Sequence, residues 1–105
     1  MNITQKKSYV YIMTNSKDSI MYVGVTGDLK QRMEFHLSDT NKGFTGKYKV
    51  HKLVYYEVYT DIRDAISREK QLKNWERVWK NALIMKKNPT WENLIPQVME
   101  YNPIN

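Results

Sequence analysis

Two residues in the middle of the sequence have side chains suited to phosphate chemistry and stand four positions apart. At this spacing Arg32 and His36 project from the same side of a helix. A guanidinium group binds two phosphate oxygens at once, and an imidazole exchanges protons near neutral pH. The same pair is compatible with a solvated arginine and a hydrogen-bonded histidine at the edge of a core. The spacing alone leaves both interpretations open.

A glutamate further along interrupts an apolar stripe at helical spacing. Glu69 lies on that stripe between apolar positions. A carboxylate on an inward face costs several kcal/mol unless it is paired or binds a metal, so Glu69 is a candidate metal ligand. Pairing at the edge of the stripe with Arg68, Lys70 or Lys73 is the more common arrangement for a single glutamate. The stripe comprises Ile62, Ala65, Ile66, Leu72 and Trp79.

Two short tyrosine-containing stretches, Tyr9-Val10-Tyr11 and Tyr22-Val23-Gly24, are flanked by apolar and β-branched residues. The polar segment 14–19 between them is rich in turn-forming residues, which predicts an antiparallel hairpin. Because strand side chains alternate between faces, the tyrosines and the glycine share one face and the valines the other. We expect the valine face to meet the core and the tyrosine face to be open to a ligand. Tyrosines that only pack on a sheet give the same pattern.

Capping signals place a first helix after the hairpin. Thr26 or Asp28 can cap it, with Gln31 in the position of a capping box, and apolar spacing predicts about ten helical residues. A polar, basic loop over residues 38–51 follows, and residues 52–59 alternate as a strand.

Two further helices are predicted in the second half of the chain. One runs from Ile62 to Arg77 behind a Thr60-Asp61 cap, and the other covers residues 79–87 and stops before Asn88-Pro89. Beyond it we expect an irregular tail that folds back over the core. The tail residues expected to do so are Trp91 and Leu94, and Trp75 and Trp79 are expected in the core. The element order β-β-α-β-α-α predicts an α+β fold, a small three-stranded antiparallel sheet flanked by helices.

Composition limits the function classes. The chain has 105 residues, enough for one domain, and it contains no cysteine, which excludes disulfides, zinc–thiolate sites and thiol catalysis. It has no long apolar run or signal-peptide core, so an intracellular, cytoplasmic protein without a membrane segment is expected. The net charge of +6 fits a polyanionic partner without specifying one.

The order and spacing of these motifs resemble the paired signature of the GIY-YIG nuclease superfamily. The two tyrosine stretches are followed by the Arg-x-x-x-His helix, the basic loop, the strand and the helix with one glutamate. The resemblance covers about residues 8–95 and is closest to small stand-alone members, so it implies one nuclease domain over residues 1–105. The segments closest to those members are Tyr22–Thr26, Leu53–Glu57 and Arg68–Trp75.

The resemblance assigns a role to each matching residue. Tyr11 corresponds to the general base, and Tyr22 with Gly24 supports the nucleophile and the close approach of the phosphate. Arg32 matches the arginine that stabilises phosphate charge, and His36 the histidine that assists the base. Glu69 matches the single metal-binding glutamate, which suits Mg²⁺ or Mn²⁺ held mainly by water and phosphate.

The chain departs from the family pattern in the first motif. Tyr9 replaces its first glycine, and Val10 and Val23 replace the central isoleucines. Many relatives carry a late asparagine at the site, for which the sequence offers three candidates without selecting one. These are Asn88, Asn93 and Asn74.

The resulting hypothesis is a metal-dependent endonuclease that acts on DNA, with RNA as an alternative substrate and either a monomer or a dimer as the active form. Because the ordinary tyrosine pKa is about 10, Tyr11 needs a cation or a proton acceptor, and His36 or a metal-bound water could serve. A non-cleaving nucleic-acid-binding module is the alternative function. A protein in which the tyrosines only pack is disfavoured, because packing alone does not require five candidate residues together. These are Tyr11, Tyr22, Arg32, His36 and Glu69. Phosphate contacts are expected from Lys42, Lys47, Lys49, Lys52, Lys70 and Lys73.

Overall fold

The computed structural model describes residues 6–38 and 41–100. In this part of the chain three strands form one antiparallel sheet in the order β2-β1-β3. Helices precede and follow the third strand. The elements are β1 (Ser8–Thr14), β2 (Met21–Thr26), α1 (Leu29–Leu37), α2 (Phe44–Lys47), β3 (Lys52–Tyr59), α3 (Ile62–Asn74), α4 (Arg77–Lys87) and α5 (Ile95–Glu100).

The tyrosine stretches lie side by side, as the hairpin prediction requires. Tyr11 on the central strand β1 pairs with Gly24 on β2 and with Tyr56 on β3. The β1–β3 pairing shifts between Ile12 and Met13, a β-bulge. As a result two consecutive β3 residues, Val54 and Tyr55, pack into the same core.

The sheet is covered on both faces. One core joins the valine face to α3 and α4, and the other joins the tyrosine face to α1 and α5. Tyr11 is only 1% exposed, so the expectation of an open tyrosine face is wrong at this residue. The first core contains Val10, Ile12, Val23, Val54, Tyr55, Ala65, Leu72 and Ile84, and the second contains Tyr11, Met13, Leu29, Met33, Val50, Leu53 and Ile95.

The predicted α+β fold and its element order are confirmed, with two additional short helices. Helix α2 lies within the predicted loop 38–51. Helix α5 replaces part of the tail that was expected to be irregular, because Asn93 Oδ1 accepts from the Ile95 N–H at its start. The last five tail residues lie outside the described residues. Trp91 and Leu94 pack on the two cores, as expected.

The predicted apolar stripe of α3 is only partly buried. Ala65 and Leu72 are buried, whereas Ile62 and Ile66 are exposed because only a narrow face of this helix packs against the sheet. The helix also ends at Asn74, three residues before the predicted end. Trp79 is exposed on α4, so its expected core position is wrong. No helix in the described part of the chain has both the length and the apolar character needed to cross a bilayer.

Candidate active site

The centre of the candidate site is Tyr11, whose ring lies directly over Gly24. A Cβ atom at position 24 would lie 2.5 Å from both Cζ and Oη of Tyr11. Only glycine leaves room for the ring at this cross-strand pair. The glycine predicted to permit close approach of a ligand is therefore required first for the position of the tyrosine side chain.

A buried chain of hydrogen bonds leads away from the Tyr11 hydroxyl. Its oxygen is 3.0 Å from Nε2 of His36, and Nδ1 of the same ring is 2.8 Å from Oγ1 of Thr45. The Asn41 side-chain amide donates to Thr45 Oγ1 over 2.7 Å. All four residues are buried. The loop carrying α2 thus supports the histidine from the side opposite the tyrosine.

Aromatic contacts complete the surroundings of this chain. The Tyr22 ring lies 6.1 Å from that of Tyr11 and 5.7 Å from that of His36, measured between centroids. Phe44 stacks on Tyr22, and Tyr48 packs against Phe44. Tyr22 is partly exposed and Phe44 is exposed, so the site reaches solvent along this edge.

Burial controls the protonation of both central groups. Burial, reinforced by Tyr22, raises the pKa of Tyr11 well above its usual range, and the nearby Arg32 guanidinium offsets part of this rise. Burial and the Arg32 charge lower the pKa of His36 to about 4. At neutral pH Tyr11 is therefore protonated and His36 is neutral in the free protein.

Arg32 lies at the exposed edge of the same site. Its charge acts on both Tyr11 and His36, which places the guanidinium near their polar atoms. It lines an open depression of about 370 Å³ together with Gln31 and Phe35. Among the described residues no carboxylate forms an ion pair with it. A free, exposed guanidinium beside a buried tyrosine is suited to an incoming phosphate.

Glu69 is close enough to Tyr11 to raise its pKa, although no hydrogen bond joins the two in the described chain. Its side chain is 13% exposed and forms an ion pair with Lys73, one turn further along α3. The pairing expected as the common alternative is thus present. No cluster of three or more metal-binding side chains occurs in the described chain. A single carboxylate with a displaceable lysine fits Mg²⁺, which keeps most of its water and binds through one or two carboxylates and phosphate oxygens.

A second glutamate, Glu57, has a different environment. It accepts hydrogen bonds from Tyr55, Tyr59 and Arg68, with distances between 2.5 and 3.3 Å. Burial alone would raise the pKa of Glu57, but these donors outweigh it and lower the pKa. We call this group the Glu57 cluster.

The candidate asparagines do not join the site in the described structure. The Asn88 side chain binds the main chain of Val54 and Glu92, and Asn93 accepts from the N–H groups of Leu53 and Ile95. Both therefore hold α4, the tail and β3 together, and Asn74 is exposed at the end of α3.

Sequence reasoning missed Asn41 and Thr45, which support the histidine. A local signal was present in the segment from Asn41 to Gly46. It combines two glycines with Asn41 and Thr45, residue types whose side chains tend to form hydrogen bonds to nearby main chain. A Cβ at Gly46 would lie 2.0 Å from the Asn41 carbonyl oxygen, so glycine is needed for α2 to approach Asn41.

The candidate phosphate-binding lysines fall into two groups. Lys42, Lys47 and Lys49 are exposed around α2, on the side of the structure that carries Phe44. Lys52 instead forms an ion pair with Asp18, with 2.8 Å between Nζ and Oδ1, so it is less available than predicted. The remaining two, Lys70 and Lys73, are exposed on α3, one and four residues after Glu69.

The two tyrosine stretches lie on paired strands, and the Arg-x-x-x-His segment lies on the helix that follows them, in the order that the sequence predicts. The family model described as the GIY-YIG catalytic domain matches residues 7–88. The chain belongs to the GIY-YIG family, a family of nucleases that generally act on DNA.

Its relatives within that family are small proteins of similar length. The chain is 36% identical over 86 residues to a UPF0213 protein of Clostridium perfringens, covering 82% of this chain and 91% of that protein. A UPF0213 protein of Bacillus pumilus is 28% identical over 80 residues, covering 76% and 82%. The solution NMR structure of a UPF0213 protein from Bacillus halodurans is similar, with a TM-score of 0.53, 26% identity and coverage of 83% and 92%.

Proposed function

We propose that this protein is a metal-dependent endonuclease that hydrolyses phosphodiester bonds in DNA, including structured or damaged DNA. The observation that carries the proposal is the position of Tyr11 on Gly24, hydrogen-bonded to His36 and close to Arg32, which forms no ion pair with any described residue. A phenol, an imidazole and a guanidinium that forms no ion pair in the described chain are groups suited to the hydrolysis of a phosphodiester.

Each of these side chains has a distinct task. Arg32 binds the non-bridging oxygens of the scissile phosphate and stabilises the charge that grows on them. Tyr11 orients the attacking water and takes its proton after its own hydroxyl has released a proton to solvent along the edge formed by Tyr22 and Phe44. The Arg32 charge already favours ionisation of Tyr11, whereas Glu69 opposes it.

A divalent cation accounts for the remaining charge. Mg²⁺ or Mn²⁺, when bound at Glu69, would supply positive charge for the phosphate and the leaving oxygen. Glu69 holds the cation in this proposal, and Lys73 must release the carboxylate first. A cation that compensates the Glu69 charge would also remove one of the electrostatic effects that raise the pKa of Tyr11.

DNA binding is proposed to come from the exposed lysines on both sides of the site. Lys42, Lys47 and Lys49 are exposed around α2, and Lys70 is exposed on α3. Contacts of this kind are made to phosphates, so the affinity should fall steeply with salt and depend little on sequence.

A non-cleaving DNA-binding module is the second candidate function, and the raised pKa of Tyr11 favours it. A phenol that stays protonated cannot act as a base. The two functions therefore differ in whether substrate and cation together ionise Tyr11.

Cleavage of plasmid, single-stranded and branched DNA at low salt with Mg²⁺ or Mn²⁺ tests the proposal. The essential variant is Glu69→Gln, with Glu34→Gln on the exposed side of α1 as the matched control. Products that disappear only with Glu69→Gln support the endonuclease. If wild type and both variants bind DNA and leave it intact, the binding module is the function.

A further inference from the structure

We propose that Asn41 and Thr45 are positioning residues that fix His36 in its Nε2–H tautomer, so that His36 donates a hydrogen bond to the hydroxyl oxygen of Tyr11. The proposed tautomer follows from the buried hydrogen bonds alone. Its consequence for catalysis rests on the proposed nuclease function.

The orientation of the Asn41 amide is the first step. Its Oδ1 accepts from the Gly43 N–H over 3.1 Å, and its Nδ2 donates to the His36 carbonyl oxygen over 3.3 Å. A main-chain N–H can only donate and a carbonyl can only accept, so a rotated amide would lose both bonds. The NH₂ group of Asn41 therefore faces Thr45 and donates to its Oγ1.

The Thr45 hydroxyl is the second step. Having accepted from Asn41, it still has a hydrogen to donate, and His36 Nδ1 lies 2.8 Å away. No other acceptor for this hydrogen is found among residues 6–38 and 41–100. Were Nδ1 protonated instead, the hydroxyl hydrogen of a residue only 4% exposed would lack a partner, which is costly in a buried site. The geometry therefore makes Nδ1 the acceptor.

The histidine ring transmits this choice to Tyr11. Burial keeps the imidazole neutral at pH 7, because it lowers the pKa of His36 to about 4. A neutral imidazole carries one N–H, and with Nδ1 accepting this hydrogen is on Nε2. Nε2 is 3.0 Å from the Tyr11 hydroxyl oxygen, so His36 donates there.

The direction of this bond defines what His36 does. An N–H that points at a phenol oxygen stabilises the phenolate, since hydrogen bonds to the charged form favour it. In this arrangement the Tyr11 hydrogen is directed away from His36, toward Tyr22, which lies close enough to raise the pKa of Tyr11. In this proposal His36 is a fixed hydrogen-bond donor to Tyr11 and not, as expected from the sequence, an acceptor of its proton. The Tyr11 proton faces the aromatic edge of the site.

The ring nitrogens of His36 provide a test that requires no activity. The protein has two histidines, and His51→Gln leaves only the signals of His36 in long-range ¹H–¹⁵N spectra. At pH 7 we expect Nδ1 to be unprotonated and Nε2 to be protonated. A protonated Nδ1, in either the other neutral tautomer or the imidazolium, overturns the proposal.

A substitution that reverses the direction of the hydrogen bonds from Asn41 through Thr45 to His36 tests the role of Asn41. In Asn41→Asp the residue accepts rather than donates, so Thr45 should turn its hydrogen toward position 41 and accept from His36. We expect Nδ1 to become protonated in this variant. If Nδ1 remains unprotonated in the folded variant, the coupling through Thr45 does not exist.

The catalytic consequence is tested with two substitutions at one position. Thr45→Ser keeps the hydroxyl, whereas Thr45→Val keeps the shape and loses it. We expect kcat to fall about ten- to a hundredfold in Thr45→Val, with KM for DNA nearly unchanged and recovery in Thr45→Ser. Equal kcat per folded molecule in both variants would overturn the positioning role. If wild type does not cleave DNA at all, the nuclease function fails while the NMR result still decides the tautomer.

Discussion

Glu57 and Glu69 are equally buried but have different surroundings. Both side chains are 13% exposed, and the α3 residues that pair with them, Arg68 and Lys73, lie within about a turn and a half of each other. Glu57 receives donors from an arginine and two tyrosines. Among residues 6–38 and 41–100, Glu69 has one ion-pair partner, a lysine that is 52% exposed.

The arginines show the same contrast. Arg68 binds Glu57 and Gln71, and its guanidinium lies over the Trp75 ring at 5.1 Å from the centroid. Arg32 has no ion-pair partner among the described residues. A charged side chain whose hydrogen-bonding groups all have partners within the protein stabilises the fold, whereas one with few partners remains available to a ligand. The Glu57 cluster therefore links β3 to α3, whereas the charged groups near Tyr11 can still bind a ligand.

The largest difference is expected between tyrosines of the two regions. Tyr11→Phe keeps the ring on Gly24 but removes the base, so kcat should fall about 10²–10⁴-fold with DNA affinity nearly unchanged. Tyr59→Phe should leave kcat unchanged and lower the unfolding free energy by about 1 kcal/mol, because Glu57 loses one donor. Single-turnover cleavage and urea unfolding of both variants measure this. Near-normal turnover in Tyr11→Phe would remove the proposed base.

Steric room over the second strand gives the next effect. In Gly24→Ala the new Cβ meets a Tyr11 ring that is buried and cannot withdraw, so we expect a loss of about 3 kcal/mol, at the upper end of overpacking effects. The control is Gly27→Ala, whose Cβ would lie 3.9 Å from the nearest side-chain atom, on Lys6, and should change stability little. Equal urea midpoints for the two variants contradict the packing described above.

The two regions should also lose stability in different pH ranges. The pKa of His36 is lowered from 6.5 to about 4 on folding, so the unfolded chain takes up the proton first. The contribution of neutral His36 to the free energy of unfolding is therefore present above pH 6.5. It is lost as the pH falls toward 4, by roughly 2 kcal/mol after allowance for solvent screening. The pKa of Glu57 is lowered below 4.5, so its contribution is lost only below that pH.

Urea unfolding across pH 3–8 separates the two ranges. His36→Gln should flatten the stability profile between pH 6.5 and 4 and leave the more acidic part unchanged. Glu57→Gln should flatten the profile below pH 4.5. A His36→Gln profile that still declines between pH 6.5 and 4 would mean that another group controls this range.

Local signals were sufficient for much of the fold. The strand Lys52–Tyr59 has the predicted bounds because its alternation and β-branched content act locally. Asp28 caps α1 and accepts from the Gln31 N–H, as the capping pattern indicates. The Glu57 cluster was not anticipated, although Tyr55, Glu57 and Tyr59 alternate on one strand face and could have been grouped.

The support of His36 could not be obtained in the same way. It depends on where the α2 segment turns back onto α1, which is set by a close main-chain approach at Gly46 rather than by periodicity. The burial of Tyr11 likewise depends on α5, a helix fixed by contacts of Asn93 with β3. The roles assigned to Tyr11, Arg32, His36 and Glu69 remain predictions, and the variants above test those of Tyr11, His36 and Glu69.

The smallest expected effect concerns Lys73, the ion-pair partner of Glu69 in the described part of the chain. In Lys73→Gln the carboxylate has no ammonium to release, so half-maximal cleavage should need about twofold less Mg²⁺ at saturating DNA, in line with an exposed helical ion pair. Lys70→Gln is the control, since it removes a neighbouring exposed lysine that forms no ion pair in the described chain. A matching Mg²⁺ shift in both variants would trace the effect to net charge, and no shift in either would mean that the cation does not compete with Lys73 for Glu69. Only a shift confined to Lys73→Gln agrees with a Glu69 that can bind a cation, in contrast to Glu57, whose oxygens already accept hydrogen bonds from three side chains.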